Sequence, residues 1–183
     1  MGLMILIFGR RSGSVINPAV TIAVASARLL KRELLIPYLL FQTIGGLLAG
    51  LTLKIVFTST NSATDLGATK LATGLTPIVG ISFEALGTFV LASSALIAST
   101  KLKKTHHQAL LVGLTLFTLI IFIGPLTGAG FNPARSLGPS LASGYLTNLY
   151  IYIIGPIIGA LAAGLLFRMV TTRVGKRNSV CLC

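Results

Sequence analysis

The sequence predicts an all-α membrane protein folded as an inverted repeat, with two re-entrant half-helices meeting near the midplane of the bilayer. Composition is the first reason. Of 183 residues, 54% are hydrophobic and 10% are charged, whereas a water-soluble domain carries about 25% charged residues. The second reason is four apolar runs, 34–57, 77–99, 108–126 and 148–170, in a solvent whose core takes about 20 helical residues to cross. Their length and lack of alternation favour helix over strand, and lipid admits only helices or closed barrels. The third is a pair of shorter segments, 17–29 and 132–142, that both open with Asn-Pro-Ala and are too short to cross alone.

In chain order, residues 1–9 are apolar and run into Arg10 and Arg11, the reverse of a signal peptide's charge order, so they read as the end of a span. Asn17 and Asn132 each supply a helix cap, and Pro18 and Pro133 suit the first helical position. Each therefore starts a half-helix behind a Gly- and Ser-rich loop. The spans after the half-helices also correspond. Residues 38–50 read YLLFQTIGGLLAG and residues 152–164 read YIIGPIIGALAAG, identical at six of thirteen positions. The chain is thus a single domain, 1–183, made of a first repeat unit within 1–57 and a second within 77–170.

Charge then sets the topology. The formal charge is +12, which in a soluble protein would point to nucleic acid. The cations instead gather beside apolar runs: Arg10, Arg11, Arg28, Lys31 and Arg32; Lys101, Lys103 and Lys104; Arg168, Arg173, Lys176 and Arg177. That is the pattern of cytoplasmic loops, so no nucleic-acid partner is expected. Three spans separate the half-helices, and three is odd. The half-helices must therefore dip in from opposite faces and bring their Asn-bearing tips together. Asp65 and Lys70 fall outside, and the basic C-terminus falls in the cytoplasm of a multi-pass protein of the cell membrane.

A helix N-terminus carries roughly half a positive elementary charge and unpaired N–H donors. Two such ends at one depth disfavour cations and protons. The amides of Asn17 and Asn132 can donate to a neutral oxygen, and unwound backbone before them can offer carbonyls. Residues 13–16 and 128–131, including Gly128, Ala129 and Gly130, are candidate lining. Arg135 lies one turn beyond Asn132; an arginine at that depth is economical only where it faces water or a partner, so it reads as a pore-lining group that repels cations. The permeant this chemistry suits is a neutral, hydrogen-bonding molecule.

Other chemistry-bearing residues fit scaffold roles. Glu84 is the only acid inside a span and is expected to accept N–H groups from re-entrant backbone. His106 and His107 sit in a solvated cytoplasmic loop, and Cys181 and Cys183 in a frayed tail. Gly46 with Gly50, and Gly155 with Gly159, are close-packing pairs. No metal-ligand cluster, nucleophile with a base, or phosphate-binding glycine loop is present, so neither enzyme activity nor cofactor nor metal is expected.

The stretches SGSVINPAVT at 12–21 and GPLTGAGFNPARSLGPS at 124–140 resemble those of the aquaporins, or major intrinsic proteins, and are similar to archaeal aquaporins and plant nodulin-like intrinsic proteins. The resemblance covers nearly the whole chain. It implies a passive channel for water and small neutral solutes such as glycerol, with Asn17, Pro18, Ala19, Asn132, Pro133 and Ala134 at the two tips. It also implies a homotetramer with one pore per subunit, and a selectivity region that maps to Ile120, Ala129 and Arg135. An apolar Ile120 beside small Ala129 implies a wide, weakly polar constriction. Measured against the family pattern, the chain starts after the first span and part of the second. That leaves a rival expectation, a truncated, non-conducting scaffold or regulatory subunit.

Overall fold

A computed structural model describes residues 1–57 and 65–173, the side chains of Arg10 and Arg173 excepted. The basic residues Lys176 and Arg177 and the cysteines Cys181 and Cys183 lie outside the described residues. Among the described residues seven α-helices follow one another: α1 Gly2–Ser12, α2 Pro18–Ser26, α3 Arg32–Val56, α4 Pro77–Lys101, α5 Thr105–Thr127, α6 Pro133–Ser143 and α7 Ile151–Arg173. Four of them, α3, α4, α5 and α7, are long and apolar enough to cross a membrane. The expected segments are all present, with ends displaced by a few residues.

The two short helices begin as their sequences dictate. In α2 the Asn17 side chain accepts from the Ala19 N–H, and in α6 that of Asn132 accepts from the Ala134 and Arg135 N–H groups, each with proline at the first position. Before each Asn, the residues four and three positions upstream turn left-handed: Gly13 and Ser14 with φ of 66° and 50°, Gly128 and Ala129 with φ of 78° and 49°. This shared irregularity reproduces the repeat in backbone geometry. It also ends α1 and α5 sharply enough for the chain to turn back into the protein.

Close approaches at small residues give the directions of the helices. A methyl on Gly155 would meet Ile81 O, and one on Gly159 would meet Ala85 O, so α7 runs parallel to α4. In the same way Gly46 faces Ala134 and Gly50 faces Gly138, aligning α3 with α6, while Gly164 packs α7 against Ala23 and Ser26 of α2. Each half-helix therefore packs along the span that follows the other half-helix. The starts of α2 and α6 meet, with Asn17 bonded to the loop before α6 and Asn132 to the loop before α2, as the parity of the spans requires.

Two apolar clusters hold this arrangement. Ala19, Val20, Ala23 and Val24 of α2 pack with Ala92 and Leu96 of α4 and Ala160 and Ala163 of α7. Ile5 of α1 packs with Leu91 of α4, with Val112 and Ile123 of α5, and with Ala129 and Phe131 of the loop before α6. The outward faces carry exposed Leu, Ile and Phe, including Phe41, Ile55, Phe117 and Phe122. In water such a surface would aggregate; in lipid it is the solvated face.

Candidate conduction site

The tips of α2 and α6 brace each other reciprocally. Asn17 Nδ2 donates to the Phe131 carbonyl at 2.8 Å, and Asn132 Nδ2 donates to the Ile16 carbonyl at 3.4 Å. Each Asn therefore does two jobs: its oxygen caps its own helix, and its amide reaches the residue just before the other Asn. On the first side Gln42 of α3 donates to the Val15 carbonyl at 2.6 Å and to Thr21 Oγ1 at 2.8 Å.

On the second side Glu84 of α4 is fully buried and accepts three donors. They are Thr127 Oγ1 at 2.6 Å, the Gly130 N–H at 2.9 Å and the Phe131 N–H at 2.7 Å. This is the scaffold role expected for an intramembrane carboxylate with no catalytic partner. A methyl on Gly87 would collide with the Phe131 ring, and one on Gly130 would meet Tyr152 and Glu84 Oε2. Those two positions need glycine because a ring and a carboxylate occupy the space.

Beside the tips lies a cavity of about 840 Å³, open to the surface along α3. Its polar lining comes from Ser12, Tyr38, Gln42, Asn132 and Arg135; Ile16, Phe41 and Leu53 contribute to its apolar walls. Arg135 is exposed into it, and its Nη1 donates to the Gly67 carbonyl at 2.9 Å. The cation is thus held at one wall by a loop whose Gly67 carbonyl meets the first turn of α6.

Of the residues expected at the site, Asn132, Ala134 and Arg135 reach this cavity. Asn17 and Ala19 are buried, and Ala19 belongs to the core around α2. Pro18 and Pro133 open their helices behind the tips. Gly128 packs against Thr69, and Gly130 against Tyr152. Ala129 is 6% exposed, packed in the cluster with Leu91 and Phe131. Ile120 lies on the surface of α5; it and Ala129 flank Gly124, where an added methyl would be 3.7 Å from one and 3.9 Å from the other. The two are neighbours, but neither borders the cavity.

Sequence reasoning missed Gln42, Thr127, Tyr38 and the Gly67 carbonyl. Gln42 and Thr127 stand as polar residues in apolar runs, a weaker signal than the carboxylate of Glu84. A backbone carbonyl leaves no trace in sequence.

The tip-to-tip half-helices, braced by the Asn of each repeat, narrow the possibilities to one architecture, and the comparisons agree. The model of the family described as "Major intrinsic protein" matches residues 1–167. The chain belongs to the major intrinsic protein family. Among curated relatives it is 39% identical over 166 residues to the probable aquaporin AqpM of Archaeoglobus fulgidus, covering 87% of this chain and 68% of that protein. It is 34% identical over 171 residues to nodulin-26 of Glycine max, covering 92% and 62%. Against aquaporin NIP1-1 of Zea mays the identity is 32%, over 93% of this chain and 60% of that one. The chain thus spans about 60% to 68% of these relatives' lengths.

In fold it is similar to the aquaglyceroporin from Plasmodium falciparum, with a TM-score of 0.76 at 19% identity, over 93% of this chain and 76% of that one. Major intrinsic proteins are channels rather than enzymes, and this member is a multi-pass membrane protein.

Proposed function

We propose that the chain forms a passive channel for water and small neutral solutes such as glycerol, excluding protons and ions. The observation that carries this reading is the mutual brace of Asn17 and Asn132 beside a cavity that Arg135 enters. Two helix N-termini at one point raise the local potential, and Arg135 adds a full positive charge. A cation meets repulsion there, while water finds donors. Asn132 and Arg135 supply polar groups to the cavity, and Asn17 braces the facing tip from its buried position. The proposed setting is a homotetramer in the cell membrane with the C-terminus in the cytoplasm, where the apolar faces of α3 and α5 meet lipid or a neighbouring subunit.

The test is an osmotic step on proteoliposomes of the full chain. Shrinkage faster than in empty vesicles, without a proton flux under a pH gradient, supports the reading. Rates equal to those of empty vesicles overturn it. One observation favours a second reading: Asn132 and Arg135 line a cavity that opens sideways along α3. A protein that assembles in the bilayer but leaves vesicle permeability unchanged would instead be a non-conducting scaffold or regulatory subunit.

A further inference from the structure

The loop that supplies the Gly67 carbonyl is strained and deliberately held. Asp65, Leu66 and Gly67 have successive φ values of 43°, 54° and 78°. The left-handed region suits glycine and is tolerated by Asp, but Leu66 has no polar atom with which to offset it. Such backbone persists only where its surroundings over-determine it.

The surroundings here are specific. The Lys70 ammonium pairs with the Asp65 carboxylate across the turn and lies 4.9 Å from the centroid of the Tyr145 ring, just past the end of α6. Ala68 N–H donates to the Asp65 carbonyl at 3.0 Å, closing the turn. Downstream, Ala72 N–H donates to the Leu126 carbonyl at 2.8 Å, and Thr69 is buried against Gly128. The described part of the loop is therefore tied through Lys70 to Tyr145, and through Thr69 and Ala72 to the end of α5, which leads into the second tip. The sequence contains three acids in all, and one of them is placed in this turn.

We propose that Asp65 and Lys70 are positioning residues for Arg135. Their ion pair, seated on Tyr145, holds the left-handed turn in the form that aims the Gly67 carbonyl at the guanidinium, so that Arg135 stays against one wall of the cavity. Released, the turn relaxes toward right-handed backbone, the carbonyl swings away, and the arginine is free to cross the cavity. This inference rests on the channel reading for its consequence, a change in the glycerol-to-water permeability ratio. It does not rest on that reading for its geometry.

The experiment measures two quantities on the full chain in proteoliposomes: the rate at which phenylglyoxal modifies Arg135, followed by peptide mass spectrometry, and the permeability ratio. An exposed ion pair shifts a two-state equilibrium by up to about fivefold. Lys70→Met is expected to raise the modification rate about threefold to fivefold and to change the ratio. Lys70→Arg, which keeps the charge and the ring contact, is expected to restore wild-type protection. Leu66→Gly, which removes the strain, is expected to keep Arg135 protected even in combination with Lys70→Met. Wild-type protection in Lys70→Met, or no rescue by Lys70→Arg, overturns the proposal. Because chemical protection is read without conduction, vesicles that fail to conduct defeat the channel reading alone. Conducting vesicles with unchanged protection defeat this proposal alone.

Discussion

Glu84 gives the sharpest test of how the second tip is built. Its carboxylate takes the Phe131 N–H on one oxygen and the Gly130 N–H and Thr127 hydroxyl on the other. All three neighbours donate, and an ionised carboxylate is an acceptor with no hydrogen of its own. In Glu84→Gln one oxygen becomes an NH2 group. At most two donors then keep an acceptor, and the new amide hydrogens face an N–H. A buried donor left unpaired costs about 1–3 kcal/mol, and the surviving bonds lose their charge assistance. The loss is about 2–4 kcal/mol, which in a chain of this length lowers Tm by about 4–16 °C. Thr127→Val removes one donor of the three and should shift Tm by less. Thermal unfolding of the detergent-solubilised chain measures both. A Glu84→Gln variant melting within about 1 °C of the wild type would refute the claim that this carboxylate braces the loop.

The close packing of α3 on α6 predicts an asymmetry between glycines. Gly138→Ala drives a methyl into the Gly46 backbone carbonyl and should abolish or severely weaken folding, whereas Gly45→Ala meets open space and should leave Tm near wild type. Expression followed by size-exclusion chromatography distinguishes them. Lys70 predicts a pH dependence. Its pKa is raised, chiefly by its bond to Asp65; the pair is therefore complete below the ordinary lysine value and is lost as pH rises through the raised one. Protection of Arg135 from phenylglyoxal should fall only in that alkaline range, and Lys70→Arg should hold it there, because a guanidinium stays charged.

What was legible in the sequence was whatever rests on periodicity, capping and charge. Apolar run length gave the spans, Asn-Pro gave the half-helix starts, and parity gave their opposed entry. Glu84 was readable because a lone carboxylate in lipid must find donors, and unwound backbone is the nearest supply. Arg135 was readable for the same reason with the sign reversed. The positions of Ala129 and Ile120 were not. A resemblance transfers a position along the chain, but which face a side chain presents depends on packing: Ala129 settles into the cluster with Leu91 and Phe131, and Ile120 turns to the surface of α5. The bond from Arg135 to the Gly67 carbonyl was beyond reach because it depends on three consecutive φ angles and a backbone oxygen.

The donors left free at the second tip limit where selectivity can come from. The first N–H groups of a helix are its anion-attracting donors. In α6, however, Pro133 has none, Ala134 and Arg135 give theirs to Asn132 Oδ1, and Ser136 gives its own to the Asn132 carbonyl. One amide hydrogen of Asn132 is committed to Ile16. What the cavity is offered at this tip is therefore the remaining Asn132 hydrogen and the guanidinium, which has five N–H donors with one bonded to Gly67. The backbone contributes its dipole but few free donors, so the charge and most of the donors reside on a single side chain. Arg135→Ala should then admit cations or protons while leaving osmotic water flow intact. Arg135→Lys should keep the exclusion and lose discrimination among neutral solutes, since it retains the charge without the planar fork. Proton flux under an imposed pH gradient, compared with osmotic shrinkage in the same vesicles, separates the two. An Arg135→Ala channel that conducts water and still excludes protons would transfer the barrier to the paired helix dipoles alone.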